Sequence, residues 1–222
     1  MSITVGVLGA GQLGRMLALA GLPLGLNFRF YDPDPAAPCG AFGGLITASY
    51  ANTEALASFA DSVDVITYEF ENVPVDAARM IEERKPIFPP PFALEVSQDR
   101  LSEKRFFEAL GIQTAPYAPI DSSADADAAA DIVGLPAILK TRRLGYDGKG
   151  QRLARTRPEL AEAVVELGGV DLILEGFVKF STECSLLCVR STRRENSSSR
   201  SSRVCRSQRC RKRPARERGS FV

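Results

Sequence analysis

The sequence predicts an α/β protein of two domains followed by a basic tail, and three observations lead to this fold class. Strand-like and helix-like segments alternate over residues 1–85, which is typical of a parallel sheet with helical crossovers. Three consecutive prolines at 89–91 interrupt the alternation, and the elements after them indicate an α+β domain. From Arg190 onwards, arginine and serine replace almost every apolar residue.

The first domain is predicted to hold four strands and three helices in alternating order. The strands are 3–8, 27–32, 44–49 and 63–70, and the helices are 12–25, 52–62 and 74–85. Pro23 marks the end of the first helix, Asn52 or Thr53 can cap the second, and Pro74 lies in the first turn of the third.

The second domain is predicted to begin near 89–115. Its helices are 97–111, 124–134 and 158–168, and its extended segments are 115–120, 136–140, 150–156, 171–178 and 183–190. The resulting division is a first domain at 1–95, a second at 96–189 and a tail at 190–222.

Composition and charge exclude several classes of protein. No run approaches the roughly 18 apolar residues of a membrane helix, and the first residues lack the features of a signal peptide. Five cysteines without a C-x-x-C pair favour a reducing cytoplasm over a disulfide framework. The absence of histidine removes the commonest general base and the commonest zinc ligand.

The tail carries most of the positive charge. Residues 190–222 contain twelve basic and two acidic side chains, a charge of +10, which leaves −9 for the remainder of a chain whose total is +1. Such a segment is predicted to be disordered because it has too little apolar surface to offset its ordering entropy. A non-catalytic fragment whose tail binds nucleic acid is one alternative, but without interleaved aromatic residues no specific nucleic-acid partner is expected.

A first glycine motif lies at the first strand-to-helix turn. Gly9, Gly11 and Gly14 form G-x-G-x-x-G, whose backbone amides can approach a phosphate at a helix start. Asp32, at the end of the second strand, lies where a Rossmann protein binds a ribose hydroxyl. The motif fits an NAD(P)-dependent oxidoreductase, a site for a phosphorylated small molecule, or a tight turn alone.

A second glycine-rich loop follows the strand that ends at Lys140. Arg142 and Arg143 lead into G-Y-D-G-K-G, and these cations and flexible glycines suit a polyphosphate under a closing loop. An ordinary surface hairpin would contain similar turn residues. Further on, Glu175 ends an apolar strand and could bind ribose hydroxyls, or it could be a solvated charge.

Six segments together resemble the ATP-grasp superfamily, and within it the 5-(carboxyamino)imidazole ribonucleotide synthases. They are GAGQLGRML, YEFENVP, QDRLSEK, LPAILKTRRLGYDGKGQ, LILEGFV and FSTECSLL, spread over residues 1–190. The resemblance implies a Rossmann-like, pre-ATP-grasp domain, then an incomplete ATP-grasp α+β domain and a disordered basic tail. Among ATP-grasp proteins, the formate-using glycinamide ribonucleotide transformylases are the family most easily confused with this one, but GYDGKG favours the carboxylating family.

The resemblance also implies an activity. Family members use MgATP to join bicarbonate to 5-aminoimidazole ribonucleotide, giving 5-carboxyaminoimidazole ribonucleotide in purine biosynthesis. ATP phosphorylates bicarbonate to carboxyphosphate, which yields the carbon dioxide that the 5-amino group captures. The expected partners are therefore ATP, bicarbonate and the ribonucleotide, in a cytoplasmic enzyme that is commonly a homodimer and does not bind membranes.

Family positions assign roles to individual residues. Residues expected to bind ATP are Arg100, Lys140, Gly145, Tyr146, Asp147, Gly148, Lys149, Gly150, Gln151, Glu175, Gly176, Phe177, Val178 and Glu183. Residues expected to bind the ribonucleotide are Gln12 and Leu13, at its phosphate, and Glu69, with Glu71 as the alternative. Tyr146 and Lys149 are the expected catalytic residues, closing on the substrate.

The resemblance stops near residues 189–194, before the acidic magnesium ligands of the family. We therefore expect no metal ligand in this sequence, a frameshift or mispredicted gene end behind the arginine–serine tail, and no carboxylation by the chain as written, because the triphosphate would lack its metal.

Overall fold

The computed structural model describes residues 2–145, 149–168 and 171–180, together with the backbone of two strands at 185–189 and 201–205. Two four-stranded sheets organise these residues, and the two additional strands pair with each other. Within the described part of the chain, every helix is too short or too polar to cross a lipid bilayer.

The first sheet is parallel, as predicted, with strand order β3-β2-β1-β4. Its strands are β1 (Thr4–Leu8), β2 (Asn27–Asp32), β3 (Leu45–Thr47) and β4 (Val65–Tyr68), and its helices are α1 (Gln12–Gly21), α2 (Thr53–Asp61) and α3 (Val75–Glu82).

Side-chain alternation along these strands builds a core on each face of the first sheet. Val7 and Phe30 are paired in register and pack with Ala18 of α1. Leu8 and its partner Tyr31 point to the opposite face, where they pack among residues of α2 and α3. The helices therefore cover both faces, and the carboxyl ends of the strands are left to form a site.

The second sheet is antiparallel, with strand order β5-β8-β6-β7. Its elements, in chain order after α4 (Pro91–Ser97) and α5 (Arg100–Ala109), are β5 (Tyr117–Ile120), α6 (Ala126–Val133), β6 (Ala137–Thr141), β7 (Gln151–Ala154), α7 (Arg157–Glu166) and β8 (Leu172–Gly176). Two further strands, β9 (Ser185–Val189) and β10 (Ser201–Cys205), pair antiparallel.

Several predicted elements differ from the structure; helix α1, for example, ends at Gly21, before Pro23, rather than at 25. Helix α4 was not predicted, because the three prolines were interpreted as a break in the secondary structure. Pro91 instead lies in the first turn of α4, where a missing amide hydrogen costs nothing. Helix α5 begins at Arg100 rather than 97, because the Asp99 side chain caps it. In the tail, where no regular structure was predicted, β10 is present; the remainder of 190–222 lies outside the described residues.

The two faces of the second sheet have different roles. Leu139 and Leu174 lie on the face that packs against α6 and α7. Because neighbouring residues along a strand alternate in direction, Lys140 and Glu175 lie on the opposite face. The second core therefore leaves two charged side chains on the face that α5 approaches.

The phenol oxygen of Tyr68, at the end of β4, is the one buried side-chain polar atom without a hydrogen-bond partner among the described residues. Burial, assisted by Glu82, raises the pKa of Tyr68 to about 12. Tyr68→Phe is therefore expected to leave the free energy of unfolding unchanged or to raise it by up to about 1 kcal/mol, measured by urea denaturation.

Tyr31→Phe is the matched control, because the Tyr31 hydroxyl donates to the Ser49 carbonyl at 2.7 Å. Its removal should cost about 1 kcal/mol. A larger loss for Tyr68→Phe than for Tyr31→Phe would mean that the Tyr68 hydroxyl is satisfied in solution.

Candidate functional site

Lys140 and Glu175 form a buried ion pair on the second sheet. The Lys140 Nζ lies 3.2 Å from the Glu175 Oε2, and the two residues are only 6% and 8% exposed. Gln151 of β7 is the register partner of Lys140 and shares its face of the sheet. Three of the residues expected to bind ATP are thus together on one face.

Helix α5 supplies further charges to this face. The Arg100 guanidinium donates to the Gly145 carbonyl at 2.9 Å. One turn along the helix, the Lys104 Nζ lies 3.4 Å from the same Glu175 oxygen that Lys140 contacts. Sequence reasoning missed Lys104, although its spacing of four from Arg100 places both side chains on one helix face.

The root of the glycine-rich loop is fixed by three consecutive residues at the start of α5. Gln98 Oε1 accepts a hydrogen bond from Arg143 at 2.7 Å, and Asp99 Oδ2 accepts one from Arg142 at 2.7 Å. The Arg100 amide donates to the Arg142 carbonyl at 3.0 Å. The expectation that both arginines serve a polyphosphate is therefore not favoured, because their guanidinium groups already bind these side chains.

Asp99 is held as a carboxylate despite its position in the interior. Burial would raise its pKa, but hydrogen bonds from Arg142 and from the backbone amides of Ser102 and Leu101 outweigh burial and hold the pKa below its ordinary value. The same oxygens cap α5, since Asp99 Oδ1 accepts from the Leu101 amide at 2.8 Å. One side chain thus fixes both the helix start and the loop root.

The glycine-rich loop closes as a hairpin between β6 and β7. The Thr141 amide donates to the Gly150 carbonyl at 2.8 Å, and Gly150 has a φ of +68°, which disfavours residues with a side chain. A Cβ on Gly150 would also approach the Thr141 hydroxyl to 2.6 Å. Lys149 lies in the turn beside Gly150. The expected site residues Tyr146, Asp147 and Gly148 lie outside the described residues.

The end of β8 leads to an exposed apolar segment. Phe177 and Val178 are 41% and 52% exposed. The Gly176 amide donates to the Pro116 carbonyl at 2.8 Å, and the Phe177 amide donates to the Pro136 carbonyl at 3.3 Å. The Phe177 amide is therefore already used, so the expected adenine contact would fall to its carbonyl and to Val178. Glu183 lies outside the described residues.

The first glycine motif encloses a side chain of the protein itself. The Glu69 Oε2 accepts a hydrogen bond from the Gly14 amide at 2.6 Å, within the first turn of α1. A Cβ added to Gly9, Gly11 or Gly14 would overlap the Glu69 side chain. The three glycines therefore make room for a carboxylate, which occupies part of the position that a dinucleotide pyrophosphate takes in a Rossmann protein.

Asp32 also bonds to this turn. Its Oδ2 accepts from the Ala10 amide at 2.8 Å, and its Oδ1 accepts from the Asp34 amide at 2.8 Å. Two carboxylates thus face a turn that a dinucleotide would approach with negative charge. This arrangement argues against the oxidoreductase interpretation.

Gln12 and Leu13 are exposed and lie in the same first turn of α1 as Gly14, whose amide donates to Glu69. Glu71 is exposed, and its backbone carbonyl instead accepts from the Gln98 amide group at 2.8 Å. Of the two alternatives, Glu69 is therefore the one beside Gln12 and Leu13. A substrate phosphate at the start of α1 is not favoured, because it would have to approach the Glu69 carboxylate.

Cys39 supports the turn from the other side. Its thiol donates to the Gly11 carbonyl at 3.3 Å, and its amide donates to the Ala10 carbonyl at 2.9 Å. Burial, followed by the charges of Glu69 and Asp32, raises the pKa of Cys39 to about 11, which keeps the thiol protonated as a donor.

Across the described ranges, no group of three or more acidic, histidine or cysteine side chains is placed to hold a metal ion. The part of the chain that the structure describes therefore offers no ready-made protein cluster for the magnesium that an ATP-dependent reaction implies.

Two protein-family models match this chain. Residues 1–98 match the ribonucleotide synthetase preATP-grasp domain, and residues 105–207 match the ATP-grasp domain. The junction between the two matches lies at the residues that fix the loop root.

Curated and solved relatives extend the comparison. The chain is 50% identical over 186 residues to an N5-carboxyaminoimidazole ribonucleotide synthase of Pseudomonas aeruginosa, covering 84% of this chain and 52% of the relative. A crystal structure of the synthetase of Thermus thermophilus superposes with a TM-score of 0.76 at 55% identity, covering 84% of this chain and 50% of that one.

A synthase of Aspergillus clavatus, in complex with ADP and 5-aminoimidazole ribonucleotide, superposes with a TM-score of 0.76 at 26% identity, covering 86% of this chain and 50% of that one. The chain thus spans about half the length of the relatives that it matches.

Proposed function

Because the chain belongs to the N5-carboxyaminoimidazole ribonucleotide synthase family of ATP-grasp proteins, we propose that it supplies the ATP site and part of the substrate site for carboxylation of 5-aminoimidazole ribonucleotide. The observation that carries this proposal is the charged face of the second sheet. There, Lys140 and Glu175 lie beneath α5 and beside the glycine-rich hairpin.

The proposed ATP site has a basic end and a hydroxyl-binding end. Lys140 and Arg100 bind phosphate oxygens, and the hairpin from Gly145 to Gln151 covers the triphosphate, where its glycines allow the backbone to approach. Glu175 accepts hydrogen bonds from the nucleoside, with Glu183 as a second acceptor. Gly176, Phe177 and Val178 form the wall against the adenine.

The proposed substrate site lies at the first glycine turn. Glu69 is fixed by the Gly14 amide and presents a carboxylate beside Gln12 and Leu13. A carboxylate accepts hydrogen bonds from an amine, so Glu69 suits the 5-amino group of the substrate rather than its phosphate. Tyr146 and Lys149 of the hairpin close on the reacting groups and exclude water from carboxyphosphate.

The nicotinamide-dependent alternative is not favoured. It explains only the first glycine motif, where the Glu69 carboxylate already bonds to Gly14. The alternative of a fragment with a nucleic-acid-binding tail rests on residues 190–222, whose side chains lie outside the described residues.

A cytoplasmic location, a homodimer and use of Mg²⁺ complete the proposal as properties expected of the family. The described residues supply no cluster for the metal, so we route no step through it. Within the described residues, Lys140 and Arg100 orient the phosphates, and the ion pair with Glu175 holds Lys140 beside the phosphate site before a nucleotide binds.

Nucleotide binding tests the ATP site. The full chain is titrated with a fluorescent ATP analogue and then challenged with ADP or NADH. ADP is expected to displace the analogue and NADH is not. Lys140→Met should weaken ADP binding at least about tenfold, because a charge-assisted contact contributes more than 1.4 kcal/mol.

Lys85→Met is the matched control, since Lys85 lies just beyond α3 in the first domain, and its affinity for ADP should equal that of the unchanged chain. Displacement by NADH but not by ADP would refute the proposed ATP site.

Substrate binding separates Glu69 from Glu71. Glu69→Gln should weaken the binding of 5-aminoimidazole ribonucleotide, measured by calorimetry, by about tenfold, because the amide lacks the charge that strengthens the hydrogen bond. The affinity for ADP should not change. Glu71→Gln, the control at an exposed position, should change neither affinity; the reverse pattern would assign the substrate to Glu71.

A further inference from the structure

Two ammonium groups, one buried and one partly buried, share one carboxylate oxygen in the second domain. Lys140 Nζ and Lys104 Nζ lie 3.2 Å and 3.4 Å from the Glu175 Oε2, and their side chains are 7% and 15% exposed. A single carboxylate balances only one of these charges. Burying a second cation costs free energy unless another negative group approaches.

The surrounding charges do not remove the excess. Glu103 of α5 is a second carboxylate that interacts electrostatically with Lys104, Lys140 and Glu175, and burial raises its pKa. Counted as fully charged, Glu103 balances one lysine, and the excess of positive charge then comes from Arg100. Arg100 adds a further positive charge beside Gly145. The cluster therefore has a net attraction for an anion, such as the phosphates of a nucleotide.

The two lysines differ in what surrounds them. Lys140 lies next to Thr141, at the root of the hairpin, where a phosphate under the loop would meet it. Lys104 points toward the sheet edge, with its Nζ 6.0 Å from the ring centre of Tyr117, the register partner of Glu175. Lys140 is therefore the cation that can turn to a phosphate, and Lys104 the one that can remain.

We propose that Lys104 is a positioning residue: it keeps Glu175 paired when Lys140 moves from Glu175 to the phosphates of a nucleoside diphosphate or triphosphate. The inference rests on the proposed ATP site. Without Lys104, each phosphate contact of Lys140 would leave Glu175 as a buried carboxylate without a cation beside it. A hydrogen bond from a ribose hydroxyl does not balance that charge, so its burial opposes binding. A nucleoside without phosphate does not draw Lys140 away and is unaffected.

The test compares ADP with adenosine as competitors of a fluorescent ATP analogue on the full chain. Lys104→Met should weaken the affinity for ADP about tenfold, because one charge-assisted contact is lost. The affinity for adenosine should change less than about twofold. Lys104→Arg should restore most of the ADP affinity. Lys85→Met, the control of equal chemistry, should change neither ligand.

A double-mutant comparison tests whether the effect of Lys104 depends on the Glu175 carboxylate. In Glu175→Gln the buried charge is absent, so adding Lys104→Met should leave the ratio of ADP to adenosine affinity unchanged. Because Glu175 is itself proposed to bind the nucleoside, far-UV circular dichroism rather than adenosine binding shows that each variant is folded.

Four results would overturn the inference. Equal weakening of ADP and adenosine by Lys104→Met would make Lys104 a structural residue, and an unchanged ADP affinity would make it dispensable. A loss of the same size in the Glu175→Gln background would remove Glu175 from the explanation. If the unchanged chain binds adenosine but not ADP, the proposed ATP site fails and the inference with it.

Discussion

Asp99→Ala is expected to lower the free energy of unfolding by about 3 kcal/mol, because it breaks a buried ion pair and removes a helix cap together. Asp99 is 8% exposed, and Arg142 donates to it from Nε at 3.0 Å and from Nη2 at 2.7 Å. The value is below that of a fully buried pair because the Arg142 side chain is 20% exposed. Urea denaturation followed by circular dichroism measures the change.

Asp121→Ala is the matched control, since Asp121 contacts the same guanidinium at 3.3 Å but its side chain is 67% exposed. It should cost less than about 1 kcal/mol. Similar losses for the two variants would show that Arg142 depends on solvent-exposed charge rather than on the buried pair.

The Asp99 contribution should depend on pH in one direction. Its folded-state pKa is lowered, so its contribution is complete above the unfolded pKa of about 3.9 and is lost as the pH falls through the folded value. Asp99→Asn keeps a capping side chain without the charge. The stability difference between the unchanged chain and Asp99→Asn should therefore be constant above about pH 5 and shrink in stronger acid.

Gly11→Ala is expected to destabilise the chain by about 2 kcal/mol through a steric clash with the Glu69 side chain. The added Cβ would overlap the Glu69 Oε1, so the carboxylate must leave the Gly14 amide, and a hydrogen bond to a charged group is lost. Gly11 itself has a φ of −79°, which alanine adopts without strain. The cost should therefore fall below about 0.5 kcal/mol when Glu69 is already alanine.

Gly9→Ala distinguishes collision from backbone strain. Gly9 has a φ of +99°, and its added Cβ would also lie 2.9 Å from the Phe70 ring. Its cost should persist in the Glu69→Ala background. If the cost of Gly11→Ala persisted equally, the view that the glycines make room for Glu69 would be untenable.

The sequence predicts most elements because their signals are local. Alternating apolar residues located β1 and β2, and helical spacing with Asn52 located α2, where the Asn52 side chain accepts from the Ala55 amide. Helix α4 was missed for the opposite reason: the prolines preceding it are also compatible with a break, and packing of Leu94 in the first core decides between the two.

The candidate site was predictable where it depends on residue type and not where it depends on partners between domains. Lys140 and Glu175 were expected from the family resemblance to bind ATP, which stays a prediction. The structure brings them together as an ion pair, which the sequence did not predict. No local pattern indicates that Arg142 binds Asp99, since the two residues are far apart in the chain. The role of Lys104 was hidden for the same reason.

Gln98 sets a limit on where this protein can be divided. Its side-chain amide donates to the Glu71 and Val73 carbonyls at 2.8 Å and 2.6 Å, while its carbonyl oxygen accepts from Arg143. A recombinant piece ending at residue 95 would lack Gln98, so the buried Val73 carbonyl would lose its hydrogen-bond donor. Independent expression of the amino-terminal half should therefore succeed better with a terminus beyond Ala109, after α5, than at the compositional border.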